Sequence, residues 1–169
     1  MEVMKNDHFQ IIIFALLCLF FNGCVSVSIP TSSGTPAKDI KFETAGDPFK
    51  ELKIKTSDRA WVSEKTGNSI AYISECYTSI DAPLLQLENE SLVALNKLKV
   101  VSSKNVNFNG REALTTIAEG EVDGVQVKTQ ILVFKKNGCN FTLSYGGVRS
   151  KFDSELSHFQ KFIESFRVP

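Results

Sequence analysis

KVVSSKNVNFNGREALTTIAEGEVDGVQVKTQILVFKKNGCNFTLSY, from Lys99 to Tyr145, is the stretch on which the fold turns. Three turn pairs punctuate it: Asn109-Gly110, Asp123-Gly124 and Asn137-Gly138. Both central residues of a type I′ turn need positive φ, which Asn, Asp and Gly adopt at least cost, so each pair predicts a tight hairpin. Between the turns the apolar period falls to two over Val100 to Phe108, Glu112 to Val122, Val125 to Phe134 and Cys139 to Tyr145. In the third run Val125, Val127, Thr129, Ile131 and Val133 share one face, while Leu132 and Phe134 join the other. Four strands of an antiparallel meander follow from this pattern.

Working outward, Ala60 to Lys65 and Ser69 to Cys76 read as a further hairpin, joined by Thr66-Gly67-Asn68 with Gly67 supplying a positive φ. Pro83 to about Lys97 reads as a helix: proline suits the first turn, and Leu84, Leu87, Ser91, Ala94, Leu95 and Leu98 fall at helical spacing. A last helix is expected from about Ser150 to Phe166, with Phe152, Leu156, Phe159, Ile163 and Phe166 on one stripe. The fold class is therefore α+β: an antiparallel meander of about six strands packed against a Leu-rich helix and a carboxy-terminal Phe-rich helix.

The chain of 169 residues suits one such domain, and its 19 basic residues balance 19 acidic ones. That balance lacks the basic excess that phosphate-backbone binding needs, so no nucleic acid is expected as a partner. The charge is even, but the apolarity is not. The long apolar run IIIFALLCLFF, Ile11 to Phe21, lies near the start and is followed at once by Asn22-Gly23-Cys24. As a helix it would rise only about 17 Å, too short for a hydrocarbon core of about 30 Å. Residues 1 to 23 thus read as a signal peptide.

Phe21-Asn22-Gly23-Cys24 resembles a bacterial lipobox, in which a small residue precedes a cysteine that is acylated before the signal is removed. Phe21 departs from the usual aliphatic residue. The resemblance implies a lipidated Cys24, a lipid-anchored protein of the cell envelope and a membrane-lipid partner held through the acylated amino terminus; an uncleaved anchor and a soluble secreted product are the alternatives. Val25 after the cysteine resembles the pattern of sorting to the outer membrane, facing the periplasm. Residues 24 to 46, rich in Ser, Thr, Pro and Gly, then read as a flexible tether, and 47 to 169 as the folded domain.

Trp61, the first hairpin, the leucine-rich helix, Asn109-Gly110-Arg111-Glu112-Ala113, Asp123-Gly124, Lys135-Lys136, the Phe141-x-Leu143-x-Tyr145 strand and the Phe-rich last helix together resemble the PsbP-like fold. That fold is named for an extrinsic photosystem II protein and is shared with a small Ran-GTPase-binding protein and several bacterial lipoproteins. The resemblance implies an architecture and a habit of accessory protein binding, without a reaction or a cofactor.

The residues themselves point away from catalysis. His158 lies on the last helix with no triad or metal partner at useful spacing, and no HExxH, GxSxG, P-loop or dinucleotide fingerprint occurs. Glu119, Glu121 and Asp123 could form a loose calcium site, although a solvated turn explains them better. Gly146-Gly147 could cradle an anion, although flexible entry to a helix is the simpler reading. Cys76 and Cys139, both at strand ends, are the thiols left once the leader is removed and Cys24 acylated. A structural disulfide between them is favoured over free thiols and over metal or redox chemistry, since two cysteines are half a zinc site and lack CxxC spacing. A lipid-anchored, non-catalytic module for a protein partner is thus the leading expectation. A periplasmic carrier with a cavity between sheet and helix is the alternative.

Overall fold

A computed structural model describes residues 34–76 and 82–169. Seven strands form one antiparallel sheet: β1 (Phe49–Leu52), β2 (Arg59–Ser63), β3 (Ser69–Cys76), β4 (Asn96–Phe108), β5 (Arg111–Val122), β6 (Val125–Lys136) and β7 (Cys139–Val148). Their order is β1-β2-β3-β7-β6-β5-β4, so two meanders meet where β3 pairs with β7. All three turn pairs adopt the left-handed backbone that the sequence demands, with φ of 53° and 73° at Asn109-Gly110, 50° and 80° at Asp123-Gly124, and 54° and 74° at Asn137-Gly138.

The seventh strand, β1, is the addition to the expected six. It escapes a periodicity reading because only Phe49 of its four residues is buried. The Leu-rich helix is also shorter than its spacing suggests: α1 spans Leu84–Leu92, and by Asn96 the chain is already in β4. Leu95 and Leu98 fit a helical stripe, but Leu98 and Val100 equally fit a strand, and pairing with β5 decides the conflict. Leu95 lies over Gly120, whose hydrogen faces it where a Cβ would stand 3.0 Å from the leucine Cβ.

The expected last helix divides in two. Arg149–Ser154 forms a 3-10 turn, and α2 spans Leu156–Ser165. The break falls at Glu155, which has φ of −131° and whose buried carboxylate is held by the β2–β3 loop. Phe152, Phe159 and Phe166 are buried as the stripe predicts, whereas Leu156 and Ile163 are only partly buried and Phe162 takes a central place.

Alternation sorts the core into two layers on opposite faces of the sheet. Leu132 and Phe134 of β6 join Phe141, Leu143 and Tyr145 of β7, Ile70 and Tyr72 of β3 and Trp61 of β2 beneath α2 and the 3-10 turn. Ile131 and Val133 point the other way and pack with Ala118, Leu87 and Leu92 beneath α1. Phe162 sits among the rings of Phe42, Trp61 and Phe166 at 5.5, 5.6 and 5.6 Å between centroids. Phe162→Ala is expected to cost about 3–5 kcal/mol, the usual scale for emptying a buried aromatic site. Urea unfolding would measure it, and a loss below about 1 kcal/mol would show that this cluster does not hold α2 on the sheet.

The body begins well before residue 47. Thr35 exchanges both backbone hydrogen bonds with Cys76 (3.2 and 2.9 Å), and Lys41 does so with Arg167 (3.0 and 2.7 Å). Phe42 lies against Trp61, Tyr72, Phe162 and Phe166, and Ala45 is buried. The part of the expected tether from residue 34 to 46 is therefore bound to the domain. One aromatic in a polar stretch has no period to announce it, and Phe42 is partly buried because it packs against rings of α2 and of β2–β3.

Candidate functional site

Cys24, the signal segment 1–23 and residues 25–33 lie outside the described residues. Among the described residues no helix is long and apolar enough to cross a membrane.

The cysteine pair forms the expected bridge. Cys76 is the last residue of β3 and Cys139 the first of β7, and the register places them directly opposite each other with Cα atoms 3.9 Å apart. A bridge between these strand ends needs β3 and β7 to be neighbours, and they are, although the Cα atoms stand closer than the usual 4.4–6.8 Å. Both side chains lie on the aromatic face, with Cys139 in the core and Cys76 packed against it. Thr35 pairs with Cys76 on its other side, so the bridge stands beside the first of the described residues.

Several buried polar groups hold the fold together. Glu155 accepts hydrogen bonds from Ser63 Oγ (2.8 Å), Thr66 Oγ1 and Asn68 Nδ2 (3.2 Å). Asn68 Nδ2 also donates to Tyr145 Oη (2.9 Å) and Lys151 O (2.9 Å), and Tyr145 Oη donates to Phe152 O at 2.6 Å. Burial, and then the nearby charge of Glu155, push the Tyr145 hydroxyl up to about 12. It remains a proton donor at any physiological pH. This network ties the β2–β3 loop to the 3-10 turn and α2, and sequence reasoning missed it because Ser63, Thr66, Asn68 and Glu155 are polar and look like surface.

The Gly146-Gly147 pair has a related purpose. It lies within β7 and not at a helix start, and a Cβ on Gly147 would stand 1.9 Å from Asn68 Oδ1. Close approach of Asn68 explains that glycine, in place of helix entry or an anion cradle. His158 is likewise structural: its Nδ1 is 2.8 Å from Ala45 O and its ring lies against Phe49. His158→Ala is expected to leave biological activity within a few-fold of normal. A loss of many orders of magnitude in a protein that still melts cooperatively would place the molecule among enzymes. In the acidic turn, Glu121 pairs with Lys97 (2.9 Å) and Glu119 with Arg149 (3.3 Å), and no group of three or more His, Cys, Asp or Glu side chains is arranged for a metal among the described residues.

Open grooves face solvent, two of them flanking α1. One, of about 780 Å³, runs between α1 and the β4–β6 side of the sheet, lined by Leu84, Leu85, Glu88, Ser103, Arg111 and Leu114 among others. The other, of about 430 Å³, lies over β3, β7 and β6 and presents Ile73, Glu90, Ser91, Asn140 and Thr142. Both are mixed polar and apolar surfaces, unlike the mostly apolar, enclosing cavities that take small molecules.

No protein-family model matches the chain, and no curated protein matches it in sequence. Solved structures do match in shape. LpqN of Mycobacterium tuberculosis, described as involved in cell envelope biogenesis, superposes with a TM-score of 0.59 at 14% identity, over 82% of this chain and 86% of its own. Cyanobacterial PsbP (CyanoP) from Synechocystis sp. PCC 6803 gives 0.58 at 13% identity, over 88% of this chain and 99% of its own. A Pseudomonas aeruginosa protein of unknown function, described as a putative regulator, gives 0.50 at 15% identity, over 83% and 88%. The protein has the PsbP-like fold, as the order of its turns, strands and helices suggested.

Proposed function

We propose that this is a lipid-anchored accessory protein of the bacterial cell envelope, held in the outer membrane through acylated Cys24 and binding a protein partner without turning over a substrate. The observation that carries the reading is the contrast between interior and surface. The buried Glu155, Asn68 and Tyr145 hydrogen-bond one another inside the fold, while the described grooves are open and mixed in polarity, as a protein-binding face is. The envelope assignment rests on the lipobox-like segment and is supported by fold likeness to LpqN, which is involved in cell envelope biogenesis. Among the described grooves, the one between α1 and the sheet is where a small-molecule carrier would hold its ligand, and its openness favours the partner-binding reading. Crosslinking in native cells followed by mass spectrometry tests the proposal. Reproducible capture of one envelope protein supports it. Capture of none, with a small metabolite copurifying in stoichiometric amount, would establish the carrier in its place.

A further inference from the structure

One buried charge in the described grooves is not used up by the fold. Glu88, midway along α1, is only 5% exposed. Ser103 Oγ (2.9 Å) and Thr116 Oγ1 donate to the same carboxylate oxygen, Oε1. Among the described residues Oε2 accepts no hydrogen bond and no lysine or arginine pairs with Glu88. Oε2 is not among the buried polar atoms that lack a partner, so the free oxygen of this otherwise buried side chain opens into the groove, where a partner's cation can meet it. Leu84, Leu85 and Leu114 give that groove an apolar wall, and Leu85 is 61% exposed.

The outer wall of the groove is the edge of the sheet. β4 is last in the strand order, and no strand lies beyond it among the described residues. The outward amide and carbonyl groups of its 13 residues can therefore accept an added strand. Pairing with β5 turns Ser103 and Asn105 toward α1, while Ser102, Lys104 and Val106 face the other way. Lys104 is exposed and has neither ion pair nor side-chain hydrogen bond among the described residues. β4 carries Lys97, Lys99 and Lys104, no acidic residue, and two irregularities of register. Such features guard an edge against indiscriminate pairing, and they oppose a second copy by setting lysines near lysines. A strand of matching charge would meet no such barrier.

We propose that the β4 edge takes an extended segment of a protein partner, whose lysine or arginine side chains on the α1 side reach Glu88 Oε2 and whose alternate acidic side chains face Lys104. This rests on the partner-binding reading, but its test uses purified full-length protein in detergent and a synthetic strand, so it succeeds or fails independently of capture in cells. The probe is a fluorescent, blocked octapeptide of alternating lysine and glutamate, read by anisotropy, with hydrogen exchange locating the site. Norleucine in place of lysine is expected to weaken binding at least tenfold, Glu88→Gln to do the same for the lysine peptide, and the two changes together to add little more. Bound peptide should slow exchange at residues 101–106. Lys104→Glu, at an exposed position that does not endanger folding, should weaken binding several-fold, and glutamine for glutamate in the peptide should remove that difference. Equal binding of the norleucine peptide, indifference to Glu88→Gln, protection elsewhere, or no binding at millimolar peptide would each overturn the proposal. Full competition by n-butylammonium at the peptide's own concentration would also overturn it, by showing a site for a free amine.

Discussion

Cys24→Ala is expected to abolish fatty-acid labelling and to leave a precursor that retains its first 23 residues. Diacylglyceryl transfer needs a sulfur nucleophile, and neither the alanine methyl nor its neighbours Asn22, Gly23 and Val25 supply one. Cleavage by the lipoprotein pathway follows acylation, so both products vanish together. Cys18 offers no substitute, since it lies within the apolar run and is followed by Leu19. Anchoring should change as steeply, because a single acyl chain binds a membrane only marginally whereas two or three hold it firmly. A clickable palmitate analogue and an intact-mass measurement read both effects. Labelling of the Cys24→Ala protein at the wild-type level would remove the lipoprotein reading and with it the route to the outer membrane.

The parts of this fold that were legible in the sequence are those specified by neighbours along the chain. Asn109-Gly110, Asp123-Gly124 and Asn137-Gly138 fix three hairpins because the turn itself requires their backbone freedom, and alternation then sets which face each residue of β5, β6 and β7 presents. Parts fixed by distant neighbours were not legible. Phe42 belongs to a stretch with the composition of a linker, yet it packs on Trp61 and Tyr72. Phe162 is one step off the 4-3 stripe and still lies at the centre of the aromatic layer, because the helix begins at Leu156 and not at Ser150. The polar residues mislead for the same reason: nothing local distinguishes Glu88 or Glu155 from the exposed Glu90 or Glu164. Burial comes from Ser103 and Thr116 in one case and from Ser63, Thr66 and Asn68 in the other. The cysteine pair was legible for a reason independent of periodicity, since an even number of thiols in an oxidising compartment constrains where two strands must meet.

Replacing Cys76 and Cys139 together by serine is expected to lower stability by about 4 kcal/mol, as the chain-entropy model gives for a closed loop of this length. The bridge spans a sequence separation of 63 and encloses α1 together with β4, β5 and β6, so its loss frees nearly half the described chain in the unfolded state. Against a total stability of about 5–15 kcal/mol for a domain, that is a large fraction. The folded state has fewer ways to compensate at this point than elsewhere. Among the described residues the β3–β7 ladder ends at Cys76, and Thr35 is held there by its pair of backbone hydrogen bonds with Cys76, backed by the Ala37 amide on Ser74 Oγ. Fraying of the bridge-free strand end should therefore release the entering segment around Thr35 first. Phe42 and Ala45, held by α2 and by β2–β3, should stay bound longer. Urea unfolding of the double-serine protein reads the total, and hydrogen exchange reads the order of release. A loss below about 1 kcal/mol, or two alkylatable thiols besides Cys24 in the protein taken from oxidising periplasm, would show that the bridge is not what secures the junction of the two meanders.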